Sequence, residues 1–197
     1  LPDLFDRELR SLLQDEDLEV VRAAIASAGR RKRRLFVGQI VERMQEPALV
    51  PAAIEALAGF GDRIVGTLRD FLIDPEMSID VRREIPAVLL AIGTRAAQAA
   101  LTESVLDKDV VLRYHCITAL NKLGQLHPER QVDRKIVESV LGAEILGHYR
   151  SYQVMGTLSR SLLDAGDPVR QGLEESMIKE SERIFRLLKM LYPTHDL

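Results

Sequence analysis

Leu49-Val50-Pro51-Ala52-Ala53-Ile54-Glu55-Ala56-Leu57-Ala58-Gly59-Phe60-Gly61 decides the fold, because the chain repeats its pattern twice. Val81-Arg82-Arg83-Glu84-Ile85-Pro86-Ala87-Val88-Leu89-Leu90-Ala91-Ile92-Gly93 and Leu112-Arg113-Tyr114-His115-Cys116-Ile117-Thr118-Ala119-Leu120-Asn121-Lys122-Leu123-Gly124 align with it without a gap. The three starts lie 32 and 31 residues apart, and a weaker copy begins 28 residues earlier at Val21, with Arg22, Ile25 and Ala28 in step. Apolar residues stand at the start and then 4, 7, 8 and 11 residues on, which is one stripe of an α-helix. Gly61, Gly93 and Gly124 fall where a left-handed cap ends a helix, a conformation glycine takes at no steric cost.

A second amphipathic run precedes each block: Leu9, Leu12 and Leu13; Phe36, Ile40 and Met44; Ile64, Leu68 and Leu72; Leu101, Val105 and Leu106. Asp17, Ser78 or Asp80, and Asp107 or Asp109 lie between the paired runs, as N-cap acceptors do. Each repeat is therefore a helical hairpin. A hairpin of this length cannot bury its stripe alone, so neighbours stack. The expected fold is all-α: a right-handed α-α superhelical solenoid with four hairpin repeats over 1–124 and irregular C-terminal helices over 125–197 completing the same domain.

Beyond Gly124 the period is lost, although Ile136, Val137, Val140 and Leu141, then Met155, Leu158, Leu162 and Leu163, keep helical spacing. Asp167-Pro168 marks the start of a long helix. Its main stripe is Val169, Leu173, Met177, Ile184, Leu188 and Leu191, expected to pack back and cap the array. Phe185, Leu187, Met190 and Tyr192 add a second apolar face near its end, the candidate docking surface for a neighbouring domain or a second copy of the isolated chain.

Of the 197 residues 46% are hydrophobic and 29% charged, a balance that excludes a disordered or collagen-like chain. The formal net charge of −3 argues against a dedicated nucleic-acid-binding domain. One cysteine, Cys116, forms no internal disulfide, so a reducing cytoplasm is the expected setting. Ile85 to Thr94, the longest charge-free stretch of the repeats, is far shorter than the roughly 20 residues of a membrane span. Leu1-Pro2-Asp3 has neither an initiator Met nor the features of a signal peptide, and reads as the start of a piece cut from a longer chain.

Arg30, Arg31, Lys32, Arg33 and Arg34 form the sharpest local feature, five consecutive cations between two helices. They are the candidate contact for an anion or for lipid headgroups of an anionic membrane surface, set against a solvated loop paired with Asp15, Glu16 and Asp17. Arg22, Arg82 and Arg113 recur at one register, with Val50 in the second repeat, and are expected to bind inter-helix aspartates or carbonyls. Cys116 shares the slot of Ile25, Ala53 and Ile85, so it reads as a buried apolar residue. His115, His127, His148 and His195 show no metal-ligand spacing, and no catalytic frame, cofactor motif or phosphate-cradling loop is present.

An apolar-Arg step at the second-helix start, small residues at its centre and a closing glycine resemble short HEAT repeats over about Leu9 to Gly124. A longer ordered string also carries a resemblance: Val81 to Thr94, Leu112 to Asn121, His127-Pro128-Glu129 and Arg183 to Pro193. It is similar to the cytosolic HEAT module fused to bacterial transporters of the ATP/ADP-translocase type, often followed by a cyclic-nucleotide-binding domain. The resemblance implies a noncatalytic protein-interaction or regulatory module at the cytoplasmic side of a membrane protein. Any transport or nucleotide activity would then belong to other domains. Short HEAT units also resemble bilin lyases, the alternative enzyme reading; a DNA base-excision reading is disfavoured by the absence of Trp.

Overall fold

A computed structural model describes residues 2–160 and 167–192, with side chains except at 2–4 and 159–160. Leu1, Leu162, Leu163, Pro193 and His195 lie outside the described residues. Among the described residues all regular structure is helical: α1 (Pro2–Leu12), α2 (Leu18–Arg31), α3 (Val37–Glu42), α4 (Val50–Ala58), α5 (Val65–Ile73), α6 (Ile79–Ile92), α7 (Arg95–Glu103), α8 (Val110–Leu126), α9 (Arg134–Arg160) and α10 (Pro168–Leu191). The chain divides into two compact units, the first ending at Leu123 and the second beginning at Gly124.

In the first unit the repeated blocks form α2, α4, α6 and α8, and their stripe is buried at the start and 4, 7 and 8 residues on, while 11 residues on Ile92 is half-buried and Lys32 exposed. Val21, Ile25 and Ala28, then Leu49, Ala53, Ala56, Leu57 and Phe60, are buried. So are Val81, Ile85, Val88 and Leu89, and Leu112, Cys116, Ala119, Leu120 and Leu123. Within the unit α2 packs on α4 and α4 on α6, while α1 packs on α2, α3 on α4 and α5 on α6, each a preceding run against its block. The side chains Leu9, Leu13, Phe36, Ile40, Met44, Ile64, Leu68, Leu72, Leu101 and Val105 complete this core.

Several local expectations differ. Leu12 and Leu106 are exposed, Leu12 although Leu9 and Leu13 on either side of it in the run are buried. The run of Phe36, Ile40 and Met44 is broken into α3 between two 3-10 turns. Gly93 caps α6 at φ 68° as expected. Gly61 has φ 61° but follows the end of α4 at Ala58 and opens a 3-10 turn. Gly124 takes no positive φ and lies inside α8, which runs on to Leu126 before His127-Pro128 stops it. In the first repeat a lysine, Lys32, takes the left-handed cap at φ 50°, its N–H donating to the Ala28 and Gly29 carbonyls.

The second unit is more regular than its sequence suggests. Its first part is one helix of 27 residues, and α10 adds 24 more, packed against α9. Asp167 caps α10 by accepting from the Val169 and Arg170 N–H groups, and Pro168 occupies the first turn. Glu144 meets Arg183, His148 meets Glu180 and Arg134 meets Tyr192, so the helices run antiparallel. The facing α9 positions Val137, Leu141, Glu144, His148, Ser151, Met155 and Leu158 step by four and three, the period of a left-handed coiled coil. Leu173, Met177, Glu180, Ile184, Leu187 and Leu191 answer on α10. Val169, expected in this stripe, is 65% exposed at the helix start.

Candidate anion-contact edge

The cations of 30–34 leave the last turn of α2, where positive charge complements the helix dipole, and lead into α3. Two of them turn inward. Asp6 of α1 is only 5% exposed, and its carboxylate forms ion pairs with Arg31 at 3.2 Å and with Arg33. The run thus engages Asp6, in place of the expected Asp15, Glu16 and Asp17, because α1 rather than the α1–α2 turn lies beside it. The Arg31 guanidinium also covers the Phe5 ring at 4.4 Å. Arg34 donates to Thr67 Oγ1 at 3.4 Å. Arg30 and Lys32 are exposed and make no ion pair among the described residues.

The arginine row is committed to stacking, as its register implies. Arg22 donates to the Ala48 carbonyl at 3.3 Å and pairs with Glu19. Arg82 joins the Leu72 carbonyl, 2.8 Å, to Asp107, 2.5 Å, while Arg113 donates to the carbonyl of the same Asp107 at 2.9 Å. Arg83, which the repeat alignment does not single out, grips Asp109 with two bonds of 3.0 and 2.7 Å. Asp109 also caps α8 by accepting from Leu112 N–H at 2.7 Å. The Arg83 bonds hold the Asp109 carboxyl below the ordinary carboxylate range, and the same contact raises the Arg83 pKa.

An open groove crosses the starts of α4, α6 and α8, lined by Pro51, Asp80, Arg83, Glu84, Val111 and His115. Its charged groups are largely spent on one another. Arg83 holds Asp109 and Asp80, and His115 Nδ1 donates to the Arg83 carbonyl at 2.6 Å, since a carbonyl only accepts. Burial pushes the Cys116 thiol up to about 12, which leaves it protonated and unreactive near neutral pH. No three metal-ligating side chains cluster among the described residues.

The expected docking face does not stay together. Leu187 is buried against α9, Met190 is half-buried and Phe185 is 56% exposed. Tyr192 lies just past α10, with Arg134 Nη2 3.4 Å from its hydroxyl and the guanidinium over its ring at 5.5 Å. Exposed Ile178 lies seven residues before Phe185, so these two share the outer side of α10.

The polar seam of the α9–α10 pair has no counterpart in the sequence reading. Arg183 Nε bonds Glu144 Oε2 at 2.8 Å, both side chains almost fully buried. Glu180 accepts from Ser151 at 2.9 Å and lies 3.1 Å from His148 Nδ1. A period of 3.5 running through polar as well as apolar residues was the available signal. No protein-family model matches the chain, and no curated protein is significantly similar to it.

Proposed function

We propose that the chain is a noncatalytic HEAT-type module, a right-handed solenoid that binds a protein or a neighbouring domain of its own polypeptide at the cytoplasmic side of a transporter-like membrane protein. One observation carries this reading: the recurrent Arg22 and Arg82, with Arg83, Asp107 and Asp109, are spent on holding hairpins together. What remains for a partner is surface, at the basic turn around Arg30 and Lys32 and at Phe185 on α10. Among the described residues no helix is long and apolar enough to cross a membrane, so the membrane part of this reading belongs to flanking sequence.

The reading is tested on the uninterrupted open reading frame and on the protein itself. Hydrophobic spans of about 20 residues encoded beside this segment support the membrane context, and a frame without them contradicts it. Incubation with a bilin should leave the pigment's visible absorbance unchanged; a shifted, protein-bound spectrum would replace the module by the lyase. Sedimentation of the isolated chain beside an Ile178→Ser, Phe185→Ser variant reads the α10 face. Association lost in the variant supports docking there, and monomers in both remove that face from the account.

A further inference from the structure

We propose that the basic run is one end of a longer edge of the first unit, and that this edge lies on an anionic bilayer. The inference rests on reading 30–34 as an anion contact and adds to it the extent of the surface and its ligand. The turns that follow α2, α4 and α6 touch in series. A methyl group placed on Gly59 would lie 3.9 Å from Lys32 Cε, and Arg34 reaches Thr67, in the first turns of α5. The next turn is joined to the one after it by the Thr94 hydroxyl, which donates to Asp62.

Along these turns Arg30, Lys32, Arg34, Arg63 and Arg95 are exposed, and none makes an ion pair among the described residues. Of the acids on the same edge, Asp6 is paired with Arg31 and Arg33, and exposed Asp62, which accepts from the Thr94 hydroxyl, sets one negative charge against the five cations. The opposite edge, made by the turns before α2, α4 and α6, exposes Glu16, Asp17, Glu46, Glu76 and Asp80. A net charge of −3 therefore hides a unit with one cationic and one acidic edge, which a negative plane orients with the cations inward.

A bilayer suits this edge better than an acidic peptide. The exposed cations are strung along successive turns instead of converging on a cleft, the arrangement that a peptide's directional contacts require. Phe5, 51% exposed and stacked under Arg31, stands beside them, and an aromatic ring among cations fits the headgroup level of a membrane.

The test is co-sedimentation of the full chain with vesicles of phosphatidylcholine alone or mixed with phosphatidylserine, each variant first checked for an unchanged thermal melt. Wild type is expected to bind only the mixed vesicles and to be released by salt. Each cation removed is expected to weaken partitioning about fivefold, so Arg63→Ser with Arg95→Ser weakens it about 25-fold. Phe5→Ser is expected to weaken it at constant charge. Loss in an Arg30→Ser, Lys32→Ser, Arg34→Ser variant with full binding in the Arg63, Arg95 variant overturns the long edge and leaves the run as an anion contact. Binding of soluble polyglutamate without vesicle binding overturns the bilayer and leaves a site for acidic protein. Binding of neither removes the anion contact as well.

Discussion

At Gly29 the closest approach in the array depends on a missing methyl group. A Cβ there would lie 2.8 Å from Ala56 Cβ and 2.9 Å from Ala56 Cα, so α2 and α4 cross with almost no space between them. In an ordinary helix Gly→Ala gains about 1 kcal/mol. Here the overlap is expected to reverse the sign, and Gly29→Ala should lose about 1–2 kcal/mol net, read as a lower melting temperature; a higher one would refute the contact. Asp109 gives a second residue-level prediction. Its folded pKa is depressed, so its contribution is present above the unfolded value of about 3.9 and is lost as pH falls through the folded one. Asn keeps the α8 cap but not the charge. Urea midpoints of wild type and Asp109→Asn should therefore differ at pH 7, begin to approach each other below about pH 4 and meet once pH is below the depressed folded pKa, and a gap that persists there would show that the Arg83 pair is not its source.

Single residues also show what was legible. Leu57, Leu89 and Leu120 were readable as core because three copies placed them eight residues into each block, and all three are buried. Gly29 fills that slot in the first copy, where a weaker alignment gives a glycine no meaning. Asp6 was invisible as the partner of Arg31 and Arg33 because no repeat relation links α1 to the turn after α2. Leu187 and Phe185 looked alike in sequence, yet only a partner helix decides which is covered, and α9 covers Leu187.

The helix pair α9–α10 is the element where apolar periodicity says least. Glu144, His148 and Ser151 interrupt its apolar stripe, so the run reads as irregular; in the structure they supply the centre of the seam. Buried polar positions in coiled coils fix register at a cost in stability. Glu144→Ala leaves the Arg183 guanidinium buried without its carboxylate and is expected to cost about 3–5 kcal/mol. The double change Glu144→Leu, Arg183→Leu is expected to restore most of that loss, because no charge is left behind. Urea unfolding of the three proteins checks both, and a double variant as unstable as the single one would mean the pair is stabilising in its own right.

For the whole molecule, the decisive property is that each hairpin of the first unit covers its neighbour, so damage to one should spread along the series and stop at the unit's end. Leu89 lies fully buried in α6, which packs on α4, α5 and α7, whereas the second unit has its own interior around Val137, Val140 and Leu187. Leu89→Ala removes about 2–5 kcal/mol of packing. Native-state hydrogen exchange on this variant is the most direct measurement. The account requires that α4, α6 and α7 lose amide protection together while α9 and α10 keep theirs; protection lost in α6 alone, or equally in every helix, would contradict a nearest-neighbour array.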